Sequence, residues 1–325
     1  MPEALVAAVA AAVALGIAGA WNDAPGALAT AVSPRALAPH RALVLAVSGN
    51  LAGAFLSVRV AETISRRLVH PDSLPLQAVL AAILAALAWT VAMTLLGFAV
   101  SPFHALLGGL VGAAVAEGGW SAVSAGGLRV TLAALLIYPL LGGVAGYLLM
   151  GGIALVCAGV NPHRAGRFFR LVQGLATALY ALGHAAADAQ TVMGAIALAL
   201  AAGGRGGWPL PGWVRGAAAL AVALGTLAGG WVTLRRLRRL TLLLQPVHAF
   251  AAQAAAGLLL VLAGGTGLPV STSHTLVGAL LGVGAAARAA GVGWGLVHWT
   301  AAAWIATPLG AALLAFCLYR LLGLM

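Results

Sequence analysis

The amino-acid sequence predicts an all-α polytopic membrane protein made of two inverted repeats, with some helices broken or re-entrant. Three observations support this fold class: an extreme apolar composition, an internal repeat, and glycine-, proline- and hydroxyl-rich stretches between apolar segments. Of the 325 residues, 62% are hydrophobic and 7% are charged, whereas a soluble domain carries about 25% charged residues. So few charges cannot cover a water-exposed surface, which excludes soluble enzymes, nucleic-acid-binding domains and disordered chains.

Apolar segments recur along the whole chain. A helix that crosses the bilayer needs about 20 apolar residues. Several segments are too long or too short for a simple crossing, so we expect about 10–12 membrane segments, some of them broken or re-entrant. The candidate segments are 4–21, 42–60, 76–98, 103–117, 129–158, 171–202, 213–234, 247–264, 274–290 and 294–322.

Arginine and histidine supply all the basic side chains, and the formal net charge is +11. Two arginine groups are predicted to lie on the cytoplasmic side, because cytoplasmic loops carry an excess of basic residues. They are Arg164, Arg167 and Arg170 and, two spans later, Arg235, Arg236, Arg238 and Arg239. The third group is then predicted on the outside, as inverted repeats would require, and consists of Arg59, Arg66 and Arg67. The predicted location is the prokaryotic cytoplasmic membrane, with multiple crossings.

Three landmarks recur in the same order in both halves of the chain. The pattern S-x-x-H-x-L-x-G-x-L-x-G begins at Ser101 and again at Ser271, 170 residues later. Residues 49–53 match 225–229, and Asp23 matches Asp188 at an offset of 165 residues. We therefore predict a first membrane repeat over 1–160, a short basic cytoplasmic linker over 161–170 and a second repeat over 171–325. Transporters with inverted repeats bind substrate and coupling ions near the midplane, between the repeats.

Asp23 and Asp188 are the two acidic residues in apolar context, and they are repeat mates. An ionisable group inside the membrane costs at least about 2.5–3.5 kcal/mol on insertion scales, so it indicates function by default. A carboxylate can hold Na⁺ or H⁺, and we predict both residues as ligands of a coupling cation. The alternative for each Asp is a helix cap. No other metal site and no cofactor is predicted.

A second predicted site begins at Ser271, where hydroxyl residues open an apolar segment after a proline turn. Free backbone N–H groups and hydroxyls at a helix N-terminus form an anion cradle. We predict Ser101, Ser271, Thr272, Ser273 and Gln190 as anion ligands. An ordinary N-cap is the alternative for the serines, and a helix–helix contact is the alternative for Gln190.

Three histidines complete the set of candidate residues. His104 and His274 are repeat mates, and His184 precedes Asp188 by four residues, so these two share a helix face. Each histidine is predicted either as a proton relay or as a structural side chain bonded to a backbone carbonyl.

The motifs around these residues resemble the inorganic phosphate transporter (PiT) family of secondary transporters over nearly the whole chain. The stretch 181–194, which contains His184 and Asp188, is similar to the family signature HGxNDAQKxxG, and the segment around Asp23 is similar to NGxxDxxNAxAT. Further similar blocks are Gly225–Trp231, Pro246–Gln253 and Pro269–His274. The resemblance implies two inverted repeats and symport of inorganic phosphate with Na⁺ or H⁺. It also implies that both Asp signatures and both Ser/Thr–His turns meet around the anion.

The sequence departs from the family pattern mostly in its first half. Gly26 and Ala187 replace asparagines, and Pro102 and Phe103 replace hydroxyl residues. Asn22, beside Asp23, is then predicted to supply the missing amide as an additional ligand of the coupling cation. Loss of neutral oxygen ligands weakens Na⁺ coordination more than H⁺ binding. It also leaves sulfate open as an alternative substrate, since some relatives of this family carry sulfate.

The sequence predicts a cation-coupled symporter of a tetrahedral oxyanion, most simply phosphate, and not an enzyme. An uncoupled anion channel with the same fold is the alternative from a different class. An intramembrane hydrolase using Ser271 and His274 is disfavoured, because no acid adjoins the histidine. The predicted partners are phosphate or sulfate and the lipid bilayer, with no nucleic acid. Glycine-rich segments such as 142–146 allow close helix packing, either within the chain or in a homodimer.

Overall fold

The computed structural model describes residues 2–69, 74–237, 245–287 and 294–323, with the backbone alone at residues 2, 232–237, 294–300 and 322. Over these ranges the chain forms α-helices, one 3₁₀ turn at Gly119–Ala122 and a single isolated β-bridge. The helices are α1 (Pro2–Val32), α2 (Pro39–Gly53), α3 (Arg59–Arg67), α4 (Leu76–Leu95), α5 (Pro102–Gly118), α6 (Ala125–Val156), α7 (Pro162–Ala202), α8 (Gly212–Leu237), α9 (Pro246–Thr266), α10 (Thr272–Ala286) and α11 (Trp294–Leu322).

Eight of these helices are long and apolar enough to cross a membrane, and α10 is a shorter apolar helix. The predicted all-α membrane fold is confirmed. Long apolar side chains such as those of Leu136, Leu140 and Leu148 on α6 are exposed, which fits a lipid-facing surface. The predicted segment 42–60 divides into two helices, because α2 ends at Gly53 and α3 begins at Arg59.

Two helices start inside the protein. Ser101 and Ser271, which precede α5 and α10, are both buried. Gly142, near the middle of α6, packs so closely on α10 that a Cβ there would lie 2.4 Å from the carbonyl oxygen of Thr275. Since α6 has 32 residues, the first turn of α10 lies near the middle of a membrane-crossing helix. This is the broken-helix arrangement that the sequence predicts.

The two broken helices make corresponding contacts with the other half of the chain. A Cβ on Gly108 of α5 would lie 2.1 Å from the carbonyl oxygen of Pro308 in α11. A Cβ on its repeat mate, Gly278 of α10, would lie 2.0 Å from the carbonyl oxygen of Pro139 in α6. Only glycine allows backbones to approach this closely. Each broken helix is therefore held by a proline-containing long helix of the opposite half.

The central helix α7 has 41 residues and is mostly buried. The predicted linker over 161–170 is not a loop, because residues 162–170 form the first turns of this helix. The Asn161 side chain accepts a hydrogen bond from the His163 N–H, and Pro162 occupies the first turn, so the helix starts there.

The arginines of the first turns of α7 are exposed at one end of this helix. The α3 arginines lie toward the other end, where the Val60 N–H donates to the Gln190 side chain. These two arginine groups thus lie toward opposite ends of α7, which agrees with inverted repeats. The remaining predicted group lies outside the described side chains and comprises Arg235, Arg236, Arg238 and Arg239.

Candidate functional site

A cluster of two carboxylates and one imidazole lies at the crossing of α1 and α7. Asp23 comes from α1, and His184 and Asp188 come from adjacent turns of α7. The Nε2 atom of His184 is 3.1 Å from Asp188 Oδ2 and 3.7 Å from Asp23 Oδ2. All three residues are buried, and their ligand atoms lie within 4.8 Å of one another. The fold thus brings the two repeat-mate aspartates together, with the histidine between them.

The orientation of His184 is set by a second polar pair. Its Nδ1 atom is 2.9 Å from Asn50 Oδ1, and Asn50 Nδ2 donates to Thr226 Oγ1 over 2.7 Å. Because the Asn50 NH₂ group donates to Thr226, the Asn50 oxygen faces His184 as an acceptor, so His184 Nδ1 carries a proton. The Nε2 atom then faces both carboxylates. It can donate as an imidazolium or accept a proton from a carboxylic acid.

Asn50 and Thr226 were missed by the sequence reasoning. They are nevertheless repeat mates, since they occupy the same position in the matching segments 49–53 and 225–229. Their hydrogen bond joins α2 to α8 across the two halves. A polar residue at the same position in both copies of a repeat was the signal that could have found them.

The turn before α10 contacts the cluster. Thr272 Oγ1 donates to Asp23 Oδ2 over 3.2 Å. Ser271 Oγ accepts from the His274 N–H and lies 3.4 Å from Ser273 Oγ. The N-terminus of α10, which carries a partial positive charge, is therefore close to a carboxylate.

The turn before α5 is similar in backbone but different in chemistry. Ser101 Oγ accepts from the His104 N–H, so both predicted serines act as helix N-caps in this conformation. Pro102 occupies the position that corresponds to Thr272. Its ring packs on Gly19 of α1, where a Cβ would lie 2.4 Å from Pro102 Cγ. The hydroxyl that reaches an aspartate thus comes from the second repeat.

Two small cavities flank the cluster, each of about 10 Å³, which is room for about one water molecule. The first is lined by Asp23, Ala24, Ala27, Asn50, Ala181, His184 and Thr226. The second is lined by Leu15, Gly16, Gly19, Ala20, Pro102, Asp188, Thr191 and Val192. The cavity at Asp23 is therefore rich in amide, hydroxyl and imidazole groups, and the cavity at Asp188 is mostly apolar.

Comparison with known proteins identifies the family. A family model described as "Phosphate transporter family" matches residues 19–166 and 157–315. The chain belongs to the phosphate transporter family. A probable low-affinity inorganic phosphate transporter of Rhizobium meliloti is 36% identical over 301 residues, covering 92% of this chain and 90% of the relative. Its counterpart from Bacillus subtilis is 35% identical over 298 residues, covering 90% of each chain.

A solved structure titled "The sodium-dependent phosphate transporter" matches with a TM-score of 0.91 at 20% sequence identity. It covers 99% of this chain and 100% of that chain, which establishes the fold. Membership of the phosphate transporter family places the protein among transporters and not enzymes. The predicted location, as a multi-pass protein of the cytoplasmic membrane, is confirmed.

In this member of the phosphate transporter family, two predicted ligands lie outside the cluster. The Gln190 side-chain oxygen accepts from the backbone N–H groups of Val60 and Ala61, and its NH₂ group donates to Ala186 O. Gln190 thus caps the N-terminus of α3 and makes the helix–helix contact that was the alternative to anion binding.

Asn22 also uses its amide elsewhere. Its NH₂ group donates to Thr94 Oγ1 and Phe98 O, and its oxygen accepts from the Val100 N–H. The side chain therefore holds the turn between α4 and α5 instead of facing the carboxylates. A buried amide at a helix surface bonds to the nearest exposed backbone groups, and the role of Asn22 as a cation ligand stays a prediction.

His104 and His274 meet in the phosphate transporter interior. Their ring centroids are 4.5 Å apart in an edge-on arrangement, and the His274 ring stacks on Trp304 at 3.7 Å. No hydrogen bond joins either ring to the Asp23–Asp188 cluster in the part of the chain that the structure describes. The proton-relay role of these two histidines stays a prediction.

Proposed function

We propose that the protein carries inorganic phosphate across the membrane together with a cation. In this proposal Asp23, His184 and Asp188 bind the coupling cation, and the start of α10 at Ser271–Ser273 faces the anion. One observation carries the proposal: an imidazole lies between carboxylates of the two repeats, and a hydroxyl of a broken helix bonds to one of those carboxylates. Family membership supports phosphate as the substrate.

Coupling to a cation follows from the charge of the substrate. A dianion that enters a cell against 100 mV, inside negative, costs about 4.6 kcal/mol, which is twice the value for one charge. Cations that travel with the anion cancel this cost. Two buried carboxylates provide the negative charge that such cations need.

The cluster geometry favours a proton as the coupling ion. His184 already occupies the space between the two carboxylates, within 3.1 Å of one and 3.7 Å of the other. A proton can be shared among these three groups without displacing any of them, whereas Na⁺ needs several oxygen ligands around it. Sodium remains the second coupling ion to be tested.

The same carboxylates favour phosphate over sulfate. Near neutral pH phosphate keeps at least one proton, so it can donate a hydrogen bond to an aspartate. Sulfate is fully ionised and can only accept. A site with Asp23 beside the helix N-terminus therefore suits a protonated oxyanion better than sulfate.

The test is uptake of labelled phosphate into proteoliposomes that contain the purified protein. A proton gradient and a Na⁺ gradient are imposed separately, with and without excess unlabelled sulfate. We expect saturable uptake driven by the proton gradient and resistant to sulfate. Asp23→Asn and Asp188→Asn should each abolish gradient-driven uptake, while Glu62→Gln, which changes an exposed acid on α3, should not.

Each alternative function has its own result in this assay. Non-saturable phosphate flux that ignores both gradients would indicate a channel. Accumulation of sulfate without phosphate would indicate a sulfate carrier. Uptake driven only by Na⁺ would retain the transporter and replace the proton as coupling ion.

A further inference from the structure

A buried hydroxyl without a partner lies one helical turn from the cluster. Tyr180 precedes His184 by four residues on α7, and their ring centroids are 6.2 Å apart. The Tyr180 side chain is fully buried, and its hydroxyl has no hydrogen-bond partner among the described residues. A buried polar group left without a partner is costly and rare, so this hydroxyl needs an explanation.

The hydroxyl points toward α1 just beyond Asp23. A Cβ placed on Gly26 would lie 3.1 Å from Tyr180 Oη and 3.1 Å from Leu276 Cδ2 of α10. Gly26 follows Asp23 by three residues, so both face the same side of α1. Tyr180 Oη is therefore close to α1, to the first turns of α10 and to the level of the carboxylate cluster.

The position that the Tyr180 hydroxyl faces can be compared between the two repeats. At the offset of 165 residues, Tyr180 corresponds to Leu15 and Gly26 corresponds to Thr191. Leu15 and Thr191 both line the small cavity beside Asp188. The position of Gly26 thus carries a hydroxyl in the second repeat, on Thr191, and in the first repeat it faces the Tyr180 hydroxyl instead.

A second unpartnered atom lies on the aspartate itself. Asp23 Oδ1 is buried and has no hydrogen-bond partner among the described residues, whereas Oδ2 is bonded by Thr272. An unused acceptor on Asp23 and an unused donor on Tyr180, which faces Gly26 three residues further along α1, thus lie on the same side of this helix. A protonated tetrahedral oxyanion can bridge them, because one of its oxygens donates to the carboxylate while another accepts from the phenol.

We propose that the Tyr180 hydroxyl is a ligand of the transported anion and binds it together with Asp23 Oδ1, which favours a protonated tetrahedral oxyanion over sulfate. Sulfate can accept from Tyr180 but has no proton for Asp23 Oδ1. This inference rests on the proposed phosphate transport. It adds an anion ligand that the motifs do not mark, because a tyrosine in an apolar helix resembles a core residue.

The test compares Tyr180→Phe with Tyr138→Phe in the same proteoliposomes. Tyr138 is a buried tyrosine on α6 in the same apolar core, so its change removes the same group at a different place. For Tyr180→Phe we expect the KM for phosphate to rise about tenfold or more, the factor for one hydrogen bond to a charged group. Arsenate, a protonated tetrahedral oxyanion, should lose affinity in parallel, and any inhibition by sulfate should weaken too, since sulfate also accepts from the phenol.

Thermal melting of the detergent-solubilised protein distinguishes ligation from a structural role. Without substrate, Tyr180→Phe should melt no lower than the parent, since it removes an unpartnered hydroxyl from an apolar site. The rise in melting temperature that phosphate causes in the parent should shrink. A lower melting temperature without phosphate, or an unchanged KM for phosphate, would overturn the proposal for Tyr180.

Two further results separate this inference from the proposed function. If the parent protein takes up no phosphate, phosphate transport itself is wrong. If the parent takes it up and Tyr180→Phe does so equally well, only the role of Tyr180 is wrong. Should Tyr180→Phe not fold, Gly26→Ala provides a second variant, because its methyl group would lie between the hydroxyl and Leu276 and should also raise the KM for phosphate.

Discussion

The amide of Asn50 holds His184 in the orientation on which the proposed cation site depends, and replacing it separates orientation from packing. Asn50→Leu removes the contact of 2.9 Å to His184 Nδ1 and the bond of 2.7 Å to Thr226. Interhelical hydrogen bonds in membrane proteins contribute about 0.6 kcal/mol each on average and up to about 1.7 kcal/mol. Two lost bonds therefore predict a loss of about 1–3 kcal/mol in stability. We also expect proton-driven phosphate uptake to fall at least about tenfold, the effect typical of lost orienting partners.

Thr226→Val is the matched control for this prediction. It removes the bond of 2.7 Å to Asn50 but leaves the contact between Asn50 and His184 in place. The control should lose about half as much stability and keep most of the uptake. The measurements are thermal melting in detergent and uptake under a proton gradient. Equal uptake in Asn50→Leu and Thr226→Val, at whatever stability, would refute the idea that Asn50 acts by orienting His184.

Two further predictions concern helix packing. Gly282→Ala would place a methyl group 1.9 Å from the Gly143 carbonyl oxygen, so α6 and α10 must separate. Overpacking of this kind predicts a loss of about 1–3 kcal/mol in stability, measured by thermal melting. The control Gly151→Ala, with open space around its Cβ, should not change stability. Gln190→Leu leaves the first N–H groups of α3 without their acceptor, and we expect faster hydrogen exchange over residues 59–67 with little change in phosphate KM. Loss of phosphate affinity in Gln190→Leu at unchanged exchange would restore Gln190 as an anion ligand.

The sequence predicts the aspartates of this site better than their neighbours, and the reason is energetic. A carboxylate inside an apolar segment is so costly that its presence alone indicates function, and the structure does bring Asp23 and Asp188 together. Asparagine and threonine are tolerated in many membrane helices, so their residue types alone did not mark Asn50 and Thr226, and only their equivalent positions in the repeat could have.

The two predicted amide ligands lie apart from the aspartate cluster for a related reason. Gln190 and Asn22 are buried polar side chains, and a buried amide must find hydrogen-bond partners wherever the chain places it. Which partners are available depends on helix packing, which no local pattern in the sequence specifies. Both side chains bond to backbone groups at helix ends, at the start of α3 and at the turn before α5.

The linker prediction failed because clustered arginines were taken to mark a loop. The arginines of residues 161–170 instead lie on the exposed first turns of α7, where a long helix extends beyond its buried part. Arginine is a good helix former, so charge alone does not end a helix. Capping by Asn161 determined where this helix begins.

The two halves of the chain share their helix packing but only part of their polar side chains, and this difference bears on the proposed transport. Gly108 on Pro308 and Gly278 on Pro139 are equivalent contacts, so either half can adopt the backbone arrangement of the other. The polar groups are duplicated only in part, since Asp23 and Asp188 are repeat mates but His184 corresponds to Gly19 and Thr272 corresponds to Pro102. One set is sufficient if it lies where the halves meet, because a group at that crossing can be reached from either side as the halves exchange arrangements. In the proposed transport, the symmetric packing would provide the two access states, and the single cluster of Asp23, His184 and Asp188 would bind the same ions in both.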